Sequence, residues 1–196
     1  MKVTRLRIAL DERGAAVVEF ALIAPIFLLM VLGGLDVCHT MYVRSVITGQ
    51  LQKAGRDFTL EDAGSVTRQA AITAAVEAAV QQTAPGAIVT VTPIWYRDYT
   101  GVAKPEEFSD GNHDGVCNNK EAFVDSNRNG RWDSNSGGQG RGGAKDVVLL
   151  TATASYDHLP LAAMFTGDAK VELVAKTFLR NQPSDQQTDA ASGVCS

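Results

Sequence analysis

From Gly14 to Leu35 the chain runs for 22 residues with a single charge, Glu19. As a helix this run rises about 33 Å, enough to cross the hydrocarbon core of a bilayer. Beyond it, Val43, Val46, Ile47, Leu51 and Ala54 recur at three- and four-residue spacing, which predicts that the same helix continues to Phe58 with one apolar face. Pro25 is expected to kink this 15–58 element, and Gly33, Gly34 and Gly49 to weaken it. A second, Ala-rich helix is expected within 62–82, where Val66, Ala70, Thr73, Val76 and Val80 keep helical register until Pro85-Gly86 stops it.

The period then changes from helical to alternating. Residues 87–96 (AIVTVTPIWY), 146–156 (DVVLLTATASY) and 170–180 (KVELVAKTFLR) each predict a strand. In the last, Val171, Leu173, Ala175 and Leu179 share one face, and Lys170, Glu172, Lys176 and Arg180 the other. Pro93 confines the first strand to an edge or a strand end. Two helices followed by three strands imply an α+β domain over 59–182 with a small antiparallel sheet, carrying a long insertion at 109–146. The polar stretch 183–196 is expected to be a mobile tail.

Charge adds an orientation. Residues 1–13 carry a local +2 against a formal net charge of −4 for the whole chain. Basic residues before the apolar run and few just after it place the N-terminus in the cytoplasm and the remainder outside. The acidic remainder offers no basic field for nucleic acid. Three widely spaced cysteines, Cys38, Cys117 and Cys195, exclude a CxxC zinc or redox site. They allow one disulfide at most: Cys117 with Cys195 is the expected pair if this part is extracytoplasmic, and three free thiols is the alternative.

An uncompensated acid in an apolar run is costly, so Glu19 requires a reason. The stretch RGAAVVEF, residues 13–20, resembles the processing site of type IV prepilins of the tight-adherence (Tad/Flp) branch. In that pattern a short basic leader ends in Gly, and Glu stands at the fifth mature position before an aromatic residue. Applied here, the resemblance implies a leader of residues 1–14, cleavage between Gly14 and Ala15 by a membrane prepilin peptidase, Glu19 as the fifth residue and Phe20 as the sixth. It further implies that Glu19 pairs with the new α-amine of a neighbouring subunit, which offsets its burial cost. The run with Asp36 after it, together with LVAKTFLRNQP at 173–183, resembles the TadE-like family. That resemblance implies a pilin-like minor pilin or pseudopilin: a single-pass protein of the bacterial inner membrane with a periplasmic domain. Other Tad pilins and inner-membrane platform proteins would be its partners.

The insertion carries the second chemical signal. Asp110 to Glu121 fits the calcium-loop template D-x-[DN]-x-[DN]-G-x₅-E at every position. Asp110, Asn112 and Asp114 would supply side-chain oxygens, Val116 its carbonyl, Asn118 an oxygen or a water, and Glu121 two oxygens. A second loop follows with Asp125, Asn127, Asn129, the Gly130 turn, the Arg131 carbonyl and Asp133, but its twelfth position is Ser136 instead of an acid. No helical pattern flanks either loop, so an EF-hand-like loop in a β context is expected, with Ca2+ as a structural ion. The competing explanation is that Asp, Asn and Gly are simply turn residues.

No catalytic arrangement emerges. His39, His113 and His158 are scattered, no GxSxG elbow is present, and GGQGRGG lacks the Lys-Ser/Thr that a phosphate loop requires. With the resemblance to Tad prepilins, this implies a non-enzymatic pilus component. The alternative is an uncleaved single-pass membrane protein whose external module binds or adheres through calcium.

Overall fold

The computed structural model describes residues 13–58, 65–159, 170–182 and 186–195. The expected leader therefore lies outside the described residues except at its last two positions, Arg13 and Gly14. The long helix, α1, runs from Arg13 to Phe58. Its first 22 residues after Arg13 have no buried side chain, whereas from Asp36 onward one stripe is covered. Pro25 lies inside the helix, which continues on both sides of it. The second helix, α2, spans Val66–Gln81, and the Ser65 hydroxyl caps it by accepting the Arg68 N–H at 3.2 Å.

Four strands form the main sheet: β1 (Ile88–Tyr96), β3 (Gly138–Gln139), β4 (Val147–Asp157) and β5 (Lys170–Arg180). Their spatial order is β3-β1-β4-β5, with antiparallel pairing throughout. Two further strands, β2 (Ala122–Asp125) and β6 (Ala191–Val194), make a separate antiparallel pair. Pro93 lies within β1 opposite Leu150 of β4. Its carbonyl accepts the Gly140 N–H at 3.1 Å, on the side away from β4. In a strand the N–H and C=O of one residue point to the same side, so the donor that proline lacks would face that outer side, and no β4 bond is lost.

The core lies between the helices and one sheet face. Val43, Ile47, Leu51, Ala54 and Phe58 of α1 and Ile72, Val76 and Val80 of α2 pack against Val89, Val148, Leu150, Ala152, Ala154 and Ala175. The Leu179 side chain packs directly on the helix backbone at Gly55, where an added Cβ would stand 2.8 Å from its methyl group. Every β4 residue on this face is buried, because α1 packs along β5 and α2 along β1 on either side of it; burying a side chain the size of Val148 or Leu150 contributes roughly 1.5–3 kcal/mol.

Within the stretch 183–196, expected to be a mobile tail, the described residues 186–195 instead run along the insertion. Their last part forms β6, with Phe123 of β2 opposite Gly193. The Arg128 guanidinium donates to the Asp189 carbonyl, and the Arg97 guanidinium to the Thr188 carbonyl. Composition was a poor guide there because backbone pairing, not apolar side chains, holds the segment.

Candidate functional site

Two regions carry the residues singled out by the sequence. The first is the exposed start of α1. Gly14, Ala15, Glu19 and Phe20 all lie in its first turns and are exposed, Phe20 at 71%. Around them Val17, Leu22, Ile23, Ile26, Phe27 and Met30 are likewise exposed, an apolar surface that water does not favour. Among the described residues α1 is the one helix long and apolar enough to cross a membrane, and none of its most apolar window is buried.

The second region is the insertion. In the first loop Asp110 accepts the N–H groups of Asp114 and Gly115 at 3.2 and 2.9 Å, and Asn112 Oδ1 accepts Asp114 N–H at 3.0 Å. Asp114 Oδ1 takes the Val116 N–H at 2.8 Å. Its Oδ2 takes the side-chain amides of Asn112 and Asn118, at 2.8 and 2.7 Å. These bonds, the Asn118 amide first, hold the Asp114 carboxyl below its ordinary pKa. Glu121 closes the ring: its two oxygens accept Gly111 N–H at 2.7 Å and Asn118 N–H at 3.2 Å. In loop positions, the final acid bridges the second and ninth amides.

The second loop repeats this wiring. Asp125 accepts the N–H groups of Asn129 and Gly130 at 3.1 and 2.8 Å, Asn127 Oδ1 accepts Asn129 N–H at 3.1 Å, and Asn129 Oδ1 accepts Arg131 N–H at 2.7 Å. Asp133 Oδ2 receives the amides of Asn127 and Asn129. The two loops also share backbone shape: φ is +61° at His113 and +62° at Arg128 in the fourth position, and +75° at Gly115 and +79° at Gly130 in the sixth. Glycine adopts that conformation without the penalty other residues meet.

Ser136, which stands where the second loop lacks its acid, faces elsewhere. Its hydroxyl donates to the Gly101 carbonyl at 2.9 Å. The missing carboxylate comes from Glu106, upstream of both loops. Glu106 Oε1 accepts Ser126 N–H at 2.8 Å and Oε2 accepts Asp133 N–H at 3.1 Å. These are again the second and ninth amides, so Glu106 does for the second loop what Glu121 does for the first. Phe108 pairs antiparallel with Phe123, and the Val124 N–H donates to the Glu107 carbonyl, a register that brings Glu106 opposite Asp125. No spacing rule in the sequence links Glu106 to a loop that begins 19 residues later, and so sequence reasoning missed it.

Glu106 and Asp125 are buried, 2% and 3% exposed, and Glu121 is 9% exposed. Burial pushes the Glu106 carboxyl up from its ordinary value; the N–H groups of Ser126, Asp133 and Asn127 pull it back, and the Asp125 charge pushes it further. Hard anionic and amide oxygens in this arrangement suit calcium more than a softer metal. Among the described residues, no group of three His, Cys, Asp or Glu side chains is gathered closely enough to hold a metal by itself, and the asparagine amides present nitrogen toward Asp114 and Asp133.

Cys117, in the first loop, and Cys195, after β6, are joined with their Cα atoms 5.6 Å apart, and Cys38 is free and exposed. The join is flanked by backbone bonds from Lys120 N–H to the Cys195 carbonyl and from Cys195 N–H to the Glu121 carbonyl, at 3.1 and 2.8 Å. His113 accompanies the loop as its exposed fourth residue. Trp132 donates to the Glu106 carbonyl at 2.9 Å and packs edge-on against Phe108, so its role is structural.

Neither a curated protein nor a solved structure matches the chain. The exposed apolar half of α1, its Gly14–Glu19 start and Asp36 all fall within one match: residues 14–56 match the family model described as TadE-like protein.

Proposed function

We propose that this chain is a minor pilin or pseudopilin of a tight-adherence pilus. A prepilin peptidase would cut it after Gly14, and its exposed apolar helix would join it to other Tad pilins and to platform proteins of the inner membrane. The observation that carries this reading is Glu19, the single acid of a 22-residue apolar run, five residues beyond a glycine in an exposed TadE-like helix. In the bilayer the carboxylate is costly unless a neighbour's new α-amine reaches it. The protein would perform no chemistry of its own. With the N-terminus cytoplasmic, the head formed by α2 and both sheets would be periplasmic, where a disulfide is stable.

The head's insertion would bind structural calcium. With an ion present, the asparagine amides would present oxygen, and Asp110, Asn112, Asp114, Asn118 and Glu121, with the Val116 carbonyl, would surround the first. Asp125, Asn127, Asn129 and Asp133, with the Arg131 carbonyl, would surround the second, and Glu106 would complete it. What supports this is the burial of Glu106 against Asp125: the charge acting on Glu106 is another negative one. A divalent cation relieves that repulsion.

The test is mass spectrometry of the mature protein from a host with the peptidase and from one without it. Ala15 at the N-terminus in the first host, and the intact N-terminus in the second, is the expected result. Retention of residues 1–14 in both sinks the pilin reading. The paired loops would then favour the second reading, an uncleaved single-pass protein with a calcium-dependent binding module.

A further inference from the structure

The covered stripe of α1 runs through Asp36, Val43, Ile47, Leu51, Ala54 and Phe58, and its first member is an acid. Asp36 is only 7% exposed although it stands one residue beyond the apolar run. A carboxylate at such a position costs several kcal/mol unless donors meet it. Two do, both from the residues just after β4: His158 Nδ1 at 2.8 Å from Oδ2, and Leu159 N–H at 3.1 Å from Oδ1. They lie 122 and 123 residues away in sequence, so this contact joins the exposed half of the helix to the head.

The surroundings are unlike a finished core. One helical turn on, His39 Nε2 lies 3.2 Å from the Thr83 carbonyl, and its ring meets Tyr156 edge-on at 5.8 Å. His39 Nδ1 is buried without a protein partner, and the Tyr156 hydroxyl has the Thr40 side chain beside it. His39 Nδ1 gains water if this corner opens, which lowers the cost of opening. Below it, Val43, Ile47, Leu51, Ala54 and Phe58 belong to an apolar cluster packed on α2 and the sheet.

We propose that Asp36, held by His158 and the Leu159 amide, is a latch that sets the angle between the membrane half of α1 and the head. Open, it lets the first helical turns beyond the membrane leave the sheet while the α1–α2–sheet core remains intact. The latch gives the head two orientations on one anchor, a property useful to a subunit that must pass from a membrane to an assembly.

The test uses the full chain in detergent micelles, in a Cys38→Ser background with nitroxide labels on Val17→Cys and Val174→Cys. The distance distribution between the labels is measured for the parent and for Asp36→Ala, His158→Ala and the double variant, alongside the thermal midpoint of the head. A narrow distribution in the parent that broadens equally in all three variants, with the midpoint held, is the expected result. Exchange of the Leu159 amide should quicken roughly tenfold in Asp36→Ala. Asp36→Asn, which keeps an acceptor for Leu159, should fall between. A distribution as narrow in Asp36→Ala and His158→Ala as in the parent overturns the latch. So does a collapse of the midpoint in both variants, which would make Asp36 an ordinary part of the core.

Discussion

The two insertion loops are written in one twelve-residue grammar and finished in two ways. The first supplies its own last acid, Glu121, and is tied to the C-terminus through Cys117. The second ends in Ser136, which bonds Gly101, and receives Glu106 from the strand-like segment before both loops. Even the inner acid is exchanged: Asp114 gathers the amides at the fifth position of the first loop, Asp133 at the ninth position of the second. Position in space, set by the Phe108–Phe123 pairing, replaces position in sequence. The consequence is a difference in dependence. The first loop is locally complete, whereas the second needs segment 106–109 to be docked before its amides are satisfied.

That asymmetry can be broken from either side. The largest effect is expected from Cys195→Ser. A bridge across 78 residues stabilises by about 4 kcal/mol in the chain-entropy account, and its loss should free β6 and expose the first loop to protease before the second. Denaturation of the head with limited proteolysis measures both; equal release of the two loops would contradict the difference. Next comes Glu106→Ala, which strands the N–H groups of Ser126, Asn127 and Asp133 and should cost on the order of 3 kcal/mol. Its proteolysis should start at 125–136 and leave 110–121 closed. A smaller but sharper effect is expected in calcium titration by calorimetry. Glu106→Gln should weaken one site at least tenfold, and Glu121→Gln the other. A single site lost only in Glu121→Gln would show that Glu106 is a strut and no ligand.

How much of this was legible beforehand divides along the same line. α1, α2, β1, β4 and β5 followed from periodicity, because each buries one face and the pattern of Val171, Leu173, Ala175 and Leu179 records which. β2 alternates over only four residues, with Phe123 and Asp125 inward, too short a run to read as a strand; β3 and β6 bury almost nothing periodic and exist because a partner backbone lies beside them, and no property of GQ or ASGV encodes that. The template for the first loop was legible in full since all its members are local. Glu106 was not, because only the antiparallel register of 106–109 against β2 brings it to Asp125. Asp36 stood out in the sequence as an acid at the end of an apolar run, but its partners His158 and Leu159 depend on the sheet closing over the helix.

The smallest expected effect concerns protons. Burial and the Asp125 charge raise the folded-state pKa of Glu106 above its ordinary 4.5, so the folded head holds that proton more tightly than the unfolded chain does. Between the ordinary and the raised value the folded state binds more protons than the unfolded one, and by linkage stability then falls as pH rises through that window. Without calcium, the head should therefore be slightly more stable just below this window than above it. Glu106→Gln, which titrates nothing, should flatten that step. Calcium works in the opposite sense, since it requires the carboxylate and should hold the head firm above the window while losing its grip below it. Denaturant midpoints from pH 4 to 7, with and without calcium, read both slopes. A step of the same size in Glu106→Gln would assign it to other carboxylates, and with it would go the electrostatic reason for a cation in the second loop.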